Sequence, residues 1–518
     1  MRFSLLAAPL SFMIIGCAVG PDFVRPTAPS ASSYDSEKLP DQIGALGSPN
    51  GATQTFVHGR DIPAEWWTLF RSPALNKLLE LALANNPDLQ AAEAALRAAQ
   101  ENSAAGGGSF YPSLSASYSS SRQQTAAAAS GGMAPSSTYS LHNASVGVSF
   151  VPDVFGGTRR TVEALDAQRD ARKFQMDAAW LAISANVVTA AIHEASLRGQ
   201  IEAIRAIIAD EEKQLEVAKQ QFDLGAVDRT AVLAQEATLA QTRTSLPALD
   251  RQLAQVRHAL SALTGRLPNE APGASFELAS LTLPTELPVS LPSSLVEQRP
   301  DIRAAEASLH AASAAIGVAT ANRLPQITLS ADVGTSANTL ANLFGAGTGF
   351  WSLGAGLAQK IFDAGSLEHR QRAAEAEYDA AAAMYRKTVL TAFQNVADTL
   401  RALQSDAVAL QASSASERVA TDNLNLTREK FKAGAVSYLA LLDAQRLQQQ
   451  SKVALVQAQA QRFADTAALF QALGGGWWNK GRSLPQSAAQ PVLGTPEPAV
   501  PAFHSKTLSP SQTRARKQ

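Results

Sequence analysis

The chain has 518 residues, of which 46% are hydrophobic, 17% charged and 6% aromatic, and its formal net charge is −1. A nearly neutral chain lacks the basic face that nucleic-acid binding requires, so no nucleic-acid partner is expected. One cysteine excludes an intramolecular disulfide, and no two histidines stand four residues apart as a helical metal motif requires. Neither a metal nor another cofactor is expected.

The N-terminus is typical of a secretory signal. Arg2 is followed by an apolar run over 3–15 and then by Gly16 and Cys17. The run is too short to cross a bilayer as a helix, which takes about 20 residues. The sequence therefore predicts a signal peptide over 1–16.

The only cysteine lies where this signal would be cut. Ile-Ile-Gly-Cys at 14–17 resembles the bacterial lipoprotein box, in which the thiol is acylated with fatty acids such as palmitate. An ordinary signal peptide with an incidental cysteine is the alternative. We expect lipidation at Cys17 and a lipid-anchored extension over 17–65, and Ala18 at the next position favours the outer membrane.

One sequence unit occurs twice in the chain. Residues 86–96 match 299–309 with an offset of 213, and 222–227 match 431–436 with an offset of 209. Copies of about 200 residues are much longer than solenoid repeats, so the pattern predicts a duplicated, domain-sized unit. The predicted order is repeat 1 at 66–265, a proline-rich connector at 266–294 and repeat 2 at 295–476.

Each copy contains two stretches in which apolar residues alternate with small polar ones, at about 110–152 and about 325–361. In the first, Leu114, Ala116 and Tyr118 alternate with serines. Strands of roughly 10 residues with one apolar face fit the wall of a transmembrane β-barrel. A half-buried sheet of a soluble protein is the alternative, since alternation alone does not exclude it.

A long helical hairpin is predicted after each pair of strands. Residues 366–433 contain neither Gly nor Pro over 68 positions, and 158–224 are interrupted only by Gly199. A helix of this length extends on the order of 100 Å. Gly225 and Gly434 supply turns, so the hairpins are predicted at 158–264 and 366–473.

The first long helix carries a coiled-coil repeat. Thirteen positions from Trp180 to Phe222 are spaced alternately by three and four residues, and eleven of them are apolar. The two exceptions are Glu194 and Glu211. A sustained repeat of about 3.5 residues predicts left-handed supercoiling against neighbouring helices.

Four strands do not close a barrel. The smallest single-chain membrane barrels have about eight strands, and an open edge in lipid leaves backbone groups unsatisfied. Two copies of the chain would give a filled barrel and three would give a channel, which the Ser/Gly/Thr face favours. The expected fold is mainly α with transmembrane β: each chain contributes four strands to a trimeric, twelve-stranded β-barrel and carries a coiled-coil periplasmic tunnel.

Several stretches resemble the outer membrane factor family of tripartite efflux pumps, the TolC-like channels, and its NodT-type lipoprotein branch. They are Cys17–Pro26, Trp66–Phe70, Asn85–Pro87, Phe150–Gly156, Gln298–Glu306 and Lys360–Gly365. The resemblance extends over about 17–480. It implies a mixed equatorial belt, formed by the N-terminal extension, the connector and the segment near Trp477.

The resemblance implies a channel and not an enzyme. The expected protein is a lipid-anchored homotrimer in the outer membrane with a periplasmic extension, which conducts drugs and toxic compounds to the exterior. The implied partners are a periplasmic adaptor protein, an inner-membrane transporter of the RND type and outer-membrane lipid. The alternatives are the outer-membrane duct of a type I protein secretion system and a purely structural envelope lipoprotein.

The resemblance also implies functional residues. Adaptors meet the hairpin ends in this family, and the corresponding residues are Phe222, Gly225, Ala226, Phe431, Gly434 and Ala435. The glycines admit a foreign backbone, or serve only the turn. Asp443 lies on a carboxylate position of the tunnel constriction, although Ala440 and Val436 depart from the family's charged residues. A solvated surface charge is the alternative for Asp443.

The C-terminus is predicted to be a disordered basic tail over 477–518. From residue 480 onward it holds six Lys or Arg against one Glu, among many Pro and Ser. Such a composition buries too little apolar surface to fold.

Overall fold

The computed structural model of the protein describes residues 18–45, 47–126, 136–270 and 273–480. These residues belong to one compact unit, Met1–Lys480. The predicted signal peptide, Cys17 and residues 481–518 of the predicted tail lie outside the described residues.

The described part of the chain is mainly helical. Its α-helices are α1 (Pro73–Asn85), α2 (Pro87–Gly107), α3 (Gly157–Asp223), α4 (Arg229–Leu263), α5 (Pro292–Gln298), α6 (Pro300–Ala321), α7 (Ser366–Lys432) and α8 (Tyr438–Ala472). Helices α1, α2, α5 and α6 each begin with proline, whose fixed φ suits the first helical position and whose missing N–H is not needed there.

The two long hairpins, α3–α4 and α7–α8, match each other in length, arm for arm. Helices α3 and α7 each have 67 residues, and α4 and α8 each have 35. At about 1.5 Å per residue the long arms extend on the order of 100 Å. Helix α4 continues through Pro247, where one main-chain hydrogen bond is necessarily absent.

The repeat in α3 marks the buried side of the helix. Nine of its thirteen positions are buried, among them both polar exceptions, Glu194 and Glu211. In α7, the same spacing from Phe393 to Phe431 has twelve positions, and six of them are buried: Val396, Leu400, Leu403, Ala407, Leu410 and Leu424. The stripe is nearly continuous on α3, whereas on α7 it is interrupted at the polar residues Ser414, Glu417 and Thr421.

The predicted strands form one sheet. It consists of β3 (Ser113–Thr125), β4 (Ser137–Phe150), β6 (Gln326–Ala337) and β7 (Gly349–Ala358), all antiparallel and in the order β3-β4-β6-β7. The strands of the two halves of the chain thus meet at β4 and β6. The expected class, mainly α with a small set of strands, is confirmed.

A second, three-stranded sheet joins the N-terminal extension to the connector. Strand β1 (Gln42–Ile43) pairs antiparallel with β2 (Gln54–His58), and β2 pairs parallel with β5 (Glu286–Val289). The sequence patterns did not predict this sheet. Its strands belong to the N-terminal extension and the connector, two of the segments from which the equatorial belt is expected to form.

The largest hydrophobic cluster lies beneath this small sheet. Trp66 is fully buried and stacks on Phe470 of α8, with ring centroids 5.4 Å apart. Phe70 and Phe463 are buried beside them, 6.3 Å apart. The segment that follows the N-terminal extension is therefore fixed to α8 by aromatic packing.

The predicted boundary of the C-terminal tail is wrong by a few residues. Trp477–Asn479 form a 3-10 helix instead of disordered chain. The Trp477 indole donates to the Gln298 carbonyl at 2.6 Å, and the Lys480 ammonium lies 4.1 Å from the Trp180 ring centroid. The Trp477 contact with α5 and the Lys480 contact with α3 outweigh the polar composition that follows them.

Candidate functional site

The four-stranded sheet has two chemically different faces. On one face, large apolar side chains are 37–75% exposed: Leu114, Tyr118, Val146, Val148, Leu329, Val333, Trp351, Leu353 and Leu357. The other face consists mostly of Ser, Gly, Thr, Gln and Asn, and the hydroxyls of Ser117 and Ser145 lie 3.0 Å apart on it. An apolar face of this size needs an apolar environment, while the opposite face suits water.

The two junctions between strands and long helices are built alike. Asp153 accepts hydrogen bonds from the Thr158 and Arg159 amides at 2.9 Å, and Asp363 accepts from the Gly365 and Leu367 amides at 3.0 and 2.9 Å. Each aspartate thus satisfies free N–H groups at the start of α3 or α7. Beside the second junction, Ile361 and Phe362 are 97% and 88% exposed.

The first hairpin end is a compact turn. Gly225 has φ +72°, its amide donates to the Phe222 carbonyl at 2.9 Å, and the Ala226 amide donates to the Gln221 carbonyl at 2.8 Å. This pattern is the Schellman motif, which satisfies the last carbonyls of a helix and favours glycine at the left-handed position. The Asp228 carboxylate then caps α4 through the Ala231 amide at 3.1 Å.

The second hairpin end repeats the first. Gly434 has φ +71°, its amide donates to the Phe431 carbonyl at 2.9 Å, and the Ala435 amide donates to the Lys430 carbonyl at 2.9 Å. Ser437 caps α8 through the Ala440 amide at 3.3 Å.

Both turn glycines face open space. A Cβ built on Gly225 or Gly434 meets no atom within 4 Å. Their positive φ therefore explains the turn, while the space beside them remains open to a partner. Phe222 is 43% exposed, whereas the Phe431 ring lies 5.3 Å from the ring of Tyr438.

Asp443 lies in the second turn of α8. Its side chain is 60% exposed and pairs with the Arg446 guanidinium at 3.2 Å. An exposed pair of this kind contributes little to stability. Within one chain Asp443 is a surface charge, so a constriction formed by it requires further copies of the chain.

The two hairpins are joined by buried and partly buried polar side chains whose mutual contacts the sequence did not reveal. We call these residues the inter-hairpin polar layer: Glu211 of α3, Gln235 and Thr242 of α4, and Tyr438 and Gln449 of α8. Tyr438 donates from its hydroxyl to the Gln235 side-chain oxygen, and the Gln449 amide lies 3.5 Å from the Thr242 hydroxyl. The Gln235 amide donates to the Glu211 carbonyl at 3.2 Å, and the Thr242 hydroxyl donates to the Glu211 carboxyl at 3.0 Å.

Glu211 is 3% exposed, and its Oε2 is buried without a hydrogen-bond partner among the described residues. Burial raises the pKa of the Glu211 carboxyl, and the Thr242 bond offsets this only in part. Burial and the Glu211 charge also raise the pKa of the Tyr438 hydroxyl. By contrast, the fully buried Glu194 is paired with Arg198 at 2.7 Å.

A second buried polar group holds the belt to α8. Arg462 is 1% exposed and donates to the Ala52 carbonyl at 2.7 Å and the Gln54 side chain at 3.1 Å. Nearby, burial and a hydrogen bond with Asp465 raise the pKa of Asp406 to about 8, which the Arg462 charge partly opposes. The protonated form of Asp406 on α7 is thus favoured beside Asp465 on α8.

The described chain begins beside the first junction. The Val19 amide donates to the Phe155 carbonyl at 3.0 Å, and Arg160 donates to the Val19 carbonyl at 3.2 Å and pairs with Asp22 at 2.6 Å. A Cβ on Gly20 would lie 2.4 Å from the Cα of Gly317 on α6. The segment is therefore held closely between α3 and α6. The predicted lipidation residue, Cys17, precedes it outside the described residues.

Among the described residues, no helix is both long enough and apolar enough to span a membrane.

Within the same residues, no group of three or more His, Cys, Asp or Glu side chains is arranged to hold a metal ion.

Comparison with known proteins gives one consistent result. The sequence family described as outer membrane efflux protein matches residues 78–266 and 291–475. The toluene efflux pump outer membrane protein TtgF of Pseudomonas putida is 30% identical over 490 residues, which cover 92% of this chain and 98% of that protein. Its similarity therefore extends over nearly the full length of both proteins.

Solved structures agree in fold. The outer-membrane channel OprN superposes with a TM-score of 0.79 at 26% identity, over 89% of this chain and 100% of that one. The open state of the MtrE outer membrane channel of Neisseria gonorrhoeae superposes with a TM-score of 0.76 at 28% identity, over 89% of this chain and 99% of that one.

Proposed function

The chain belongs to the outer membrane efflux protein family, and from that membership we propose that three copies form the exit duct of a tripartite efflux pump. An outer-membrane efflux channel is the function that the family and the named relatives share. The trimer, the partners and the cargo are the proposal. No step of chemical catalysis is needed, because the pore conducts passively.

The observation that carries the proposal is the pair of faces on the four-stranded sheet. Among the described strands, the outer two of this sheet, β3 and β7, each have one unpaired edge. In lipid, such edges leave backbone N–H and C=O groups unsatisfied unless other copies pair with them. Three copies give twelve strands, with the exposed apolar face toward lipid and the Ser/Gly face around water.

The cargo is proposed to be small toxic compounds, including apolar ones. TtgF is named for toluene efflux, and the wall of this pore offers hydroxyls and backbone instead of a shaped pocket. A partner transporter in the inner membrane, of the RND type, would choose the substrate and supply the energy. The relatives' names favour this function over protein export, which remains the second candidate.

The adaptor is proposed to bind the two hairpin ends. Gly225 and Gly434 lie in identical turns with open space beside them, and Ala226 and Ala435 follow with small side chains. Exposed Phe222 offers an apolar contact at one end, and Phe431 offers part of its ring at the other. The α3–α4 and α7–α8 ends would then present two similar surfaces to one partner.

Asp443 is proposed to line the tunnel constriction. Its carboxylate is exposed within one chain, and among the described residues Arg446 is its one charged partner. Three such carboxylates around an axis would repel one another and attract cations. Closure would then depend on contacts such as those of the inter-hairpin polar layer as well as on charge.

We propose that the chain is anchored by lipid at Cys17, and the position of the residue that follows it supports this. Ala18 lies against Gly156, the residue that immediately precedes α3. Acyl chains carried by residue 17 would therefore begin at the level where strands give way to helices. Each buried CH₂ contributes about 0.8 kcal/mol, so several chains would hold this end firmly.

The domain organisation is proposed to be a duplicated unit. The same order of helix, two strands and long hairpin occurs in both halves, and the family matches two separate segments. The first unit would be 66–265 and the second 295–476, with 266–294 connecting them through β5.

The function is tested with purified trimers in planar bilayers. We expect discrete channels, and a strain without the gene should become sensitive to toxic small molecules while its secreted proteins are unaffected. Leu353→Asp, which charges the apolar face, should prevent insertion, whereas Ser352→Asp on the other face should not. A stable chain without pores would contradict the channel, and selective loss of one secreted protein would favour the protein-export duct.

A further inference from the structure

One row of residues crosses all four strands of the large sheet. Ser115 of β3 pairs with Gly147 of β4, Gly147 pairs with Asp332 of β6, and Asp332 pairs with Ser352 of β7. Directly paired residues of a sheet share one face. This row lies on the Ser/Gly face, opposite the exposed apolar side chains.

Asp332 is the only charged residue on that face within the described strands. The other charged residue of these four strands, Arg122, pairs with Ser140 and shares its face with Leu114 and Tyr118. The remaining members of the Ser/Gly face near Asp332 are uncharged: Ser113, Ser117, Ser145, Ser149, Thr328, Ser330, Gly334, Phe350, Gly354 and Gly356. A single carboxylate therefore dominates the electrostatics of this surface.

The neighbours of Asp332 leave its carboxylate unneutralised. A Cβ on Gly147 would lie 2.5 Å from Asp332 Oδ1, so the absence of a side chain at 147 provides the room that this carboxylate occupies. The Ser352 hydroxyl lies 3.4 Å from Oδ2, and no Lys or Arg pairs with Asp332 among the described residues. The charge is thus solvated and held in place, but not cancelled.

We propose that Asp332 gives the barrel lumen its charge preference, favouring cationic permeants and disfavouring anionic ones. The proposal rests on the trimeric barrel proposed above, because it requires the Ser/Gly face to line the pore. Three-fold symmetry then repeats the aspartate at one level, which makes a ring of three carboxylates. Rings of acidic side chains select cations in channels because each permeant passes close to several like charges.

This level of the pore differs from the hairpin ends. Asp332 lies in the sheet, whereas Asp443 lies in the second turn of α8 beyond a helix of 67 residues. Total conductance is limited by the narrowest part of the path, so it reports poorly on a wide barrel. A reporter placed beside Asp332 measures the local field whatever the state of the hairpin ends.

The reporter is Ser352→Cys, whose thiol would lie beside the Asp332 carboxylate. Outer-membrane vesicles containing the full chain are treated with a cationic reagent, trimethylammonioethyl methanethiosulfonate, and with an anionic one, sulfonatoethyl methanethiosulfonate. The ratio of the two rates cancels the effect of the carboxylate on the ionisation of the thiol itself. The unmodified chain measures any background from Cys17, the single natural cysteine.

In the Ser352→Cys chain we expect the cationic reagent to be strongly preferred. Adding Asp332→Asn should lower the ratio at least about fivefold at low salt, the effect of one unit charge roughly 4 Å away in water. Asp332→Glu should keep the ratio high. An unchanged ratio in the Asn variant would overturn the proposal.

Two controls distinguish a failure of this proposal from a failure of the proposed barrel. Leu353→Cys lies next to the reporter on the apolar face, and it should react slowly with both charged reagents because lipid covers it. If Leu353→Cys reacts quickly and Ser352→Cys does not, the proposed barrel orientation is wrong. If the chain that combines Ser352→Cys with Asp332→Asn fails to assemble, Ser330→Cys provides a second reporter one row away on the same face. It is again compared with and without Asp332→Asn.

Discussion

The hydroxyl of Tyr438, in the first turn of α8, donates a hydrogen bond to the side chain of Gln235 on α4. This bond joins the two hairpins near their ends, and Gln235 is fully buried where it is formed. Two contacts of the inter-hairpin polar layer connect the second hairpin to the first. They are this bond and the longer contact from Gln449 to Thr242.

Removal of that hydroxyl should loosen the hairpin ends. Tyr438→Phe keeps the ring that packs on Phe431 but leaves the Gln235 oxygen buried without a partner, at a cost of about 1–3 kcal/mol. We expect a lower unfolding midpoint and more frequent channel openings in bilayers. Tyr111→Phe, at a side chain 73% exposed, makes the same chemical change and should alter neither. Equal behaviour of the two variants would rule out a restraining role.

Glu211→Gln should stabilise the chain at neutral pH. Burial raises the pKa of Glu211 above its ordinary 4.5, so its contribution to stability is fully present below that pH and is lost as pH rises through the raised value. Glutamine can still accept from Thr242 but carries no charge. Thermal unfolding from pH 4 upward should show the variant gaining a few degrees over the native chain as pH rises. The neighbouring Glu212→Gln, which breaks only an exposed pair with Arg243, should show no such gain.

The pair of Asp406 and Asp465 predicts a second pH dependence, in the belt. The pKa of Asp406 is raised from 3.8 to about 8, so stability from this site should decline between about pH 4 and pH 8 and then level off. Asp406→Asn can donate to Asp465 at every pH and should remove this decline. Asp398→Asn, at an exposed aspartate of the same helix, serves as the control. A native unfolding midpoint that is flat over this range would contradict the raised pKa of Asp406.

Gly20→Ala should detach the segment that follows residue 17. The new methyl would lie 2.4 Å from the Cα of Gly317, and Gly20 also has φ +91°. Gly59→Ala separates the two effects, because Gly59 has φ +73° but nothing within 4 Å. We expect Gly59→Ala to lower the free energy of unfolding by about 1–2 kcal/mol through backbone strain, and Gly20→Ala to lower it further. Limited proteolysis should release the N-terminal segment only in the latter.

Cys17→Ala should leave the mature chain without lipid and impair its assembly. Metabolic labelling with a radioactive or alkyne-bearing fatty acid is the measurement, and the native chain should be labelled. Since the chain has a single cysteine, no other thiol can take the label. Undiminished labelling of the variant would refute lipidation at this residue.

Sequence periodicity predicted the elements with strong local patterns. Sixty-eight positions without Gly or Pro define α7, and the alternation around Tyr118 defines β3, because each pattern follows from the geometry of one element. The short strand β2 was missed because its partner β5 lies more than 200 residues away and neither alternates clearly.

The contacts within the candidate site were less predictable. Glu211 stood out as a polar residue in an apolar repeat, but nothing near it in sequence identifies Gln235 or Tyr438 as its neighbours. Those contacts depend on how the two hairpins pack against each other, which a one-dimensional pattern does not contain. Asp332 was visible as one polar residue among many, and only the strand register isolates it as the lone charge of its face.

Corresponding arms of the two hairpins have the same length, and this restricts how the protein can change in evolution. An extra residue in one arm would move its end by about 1.5 Å and rotate every later side chain by roughly 100°, which turns the apolar stripe away from its neighbours. Only an insertion near seven residues restores the stripe, and it would have to occur in all four long helices to keep both ends level. Viable length variants should therefore differ in coordinated steps of about 10 Å.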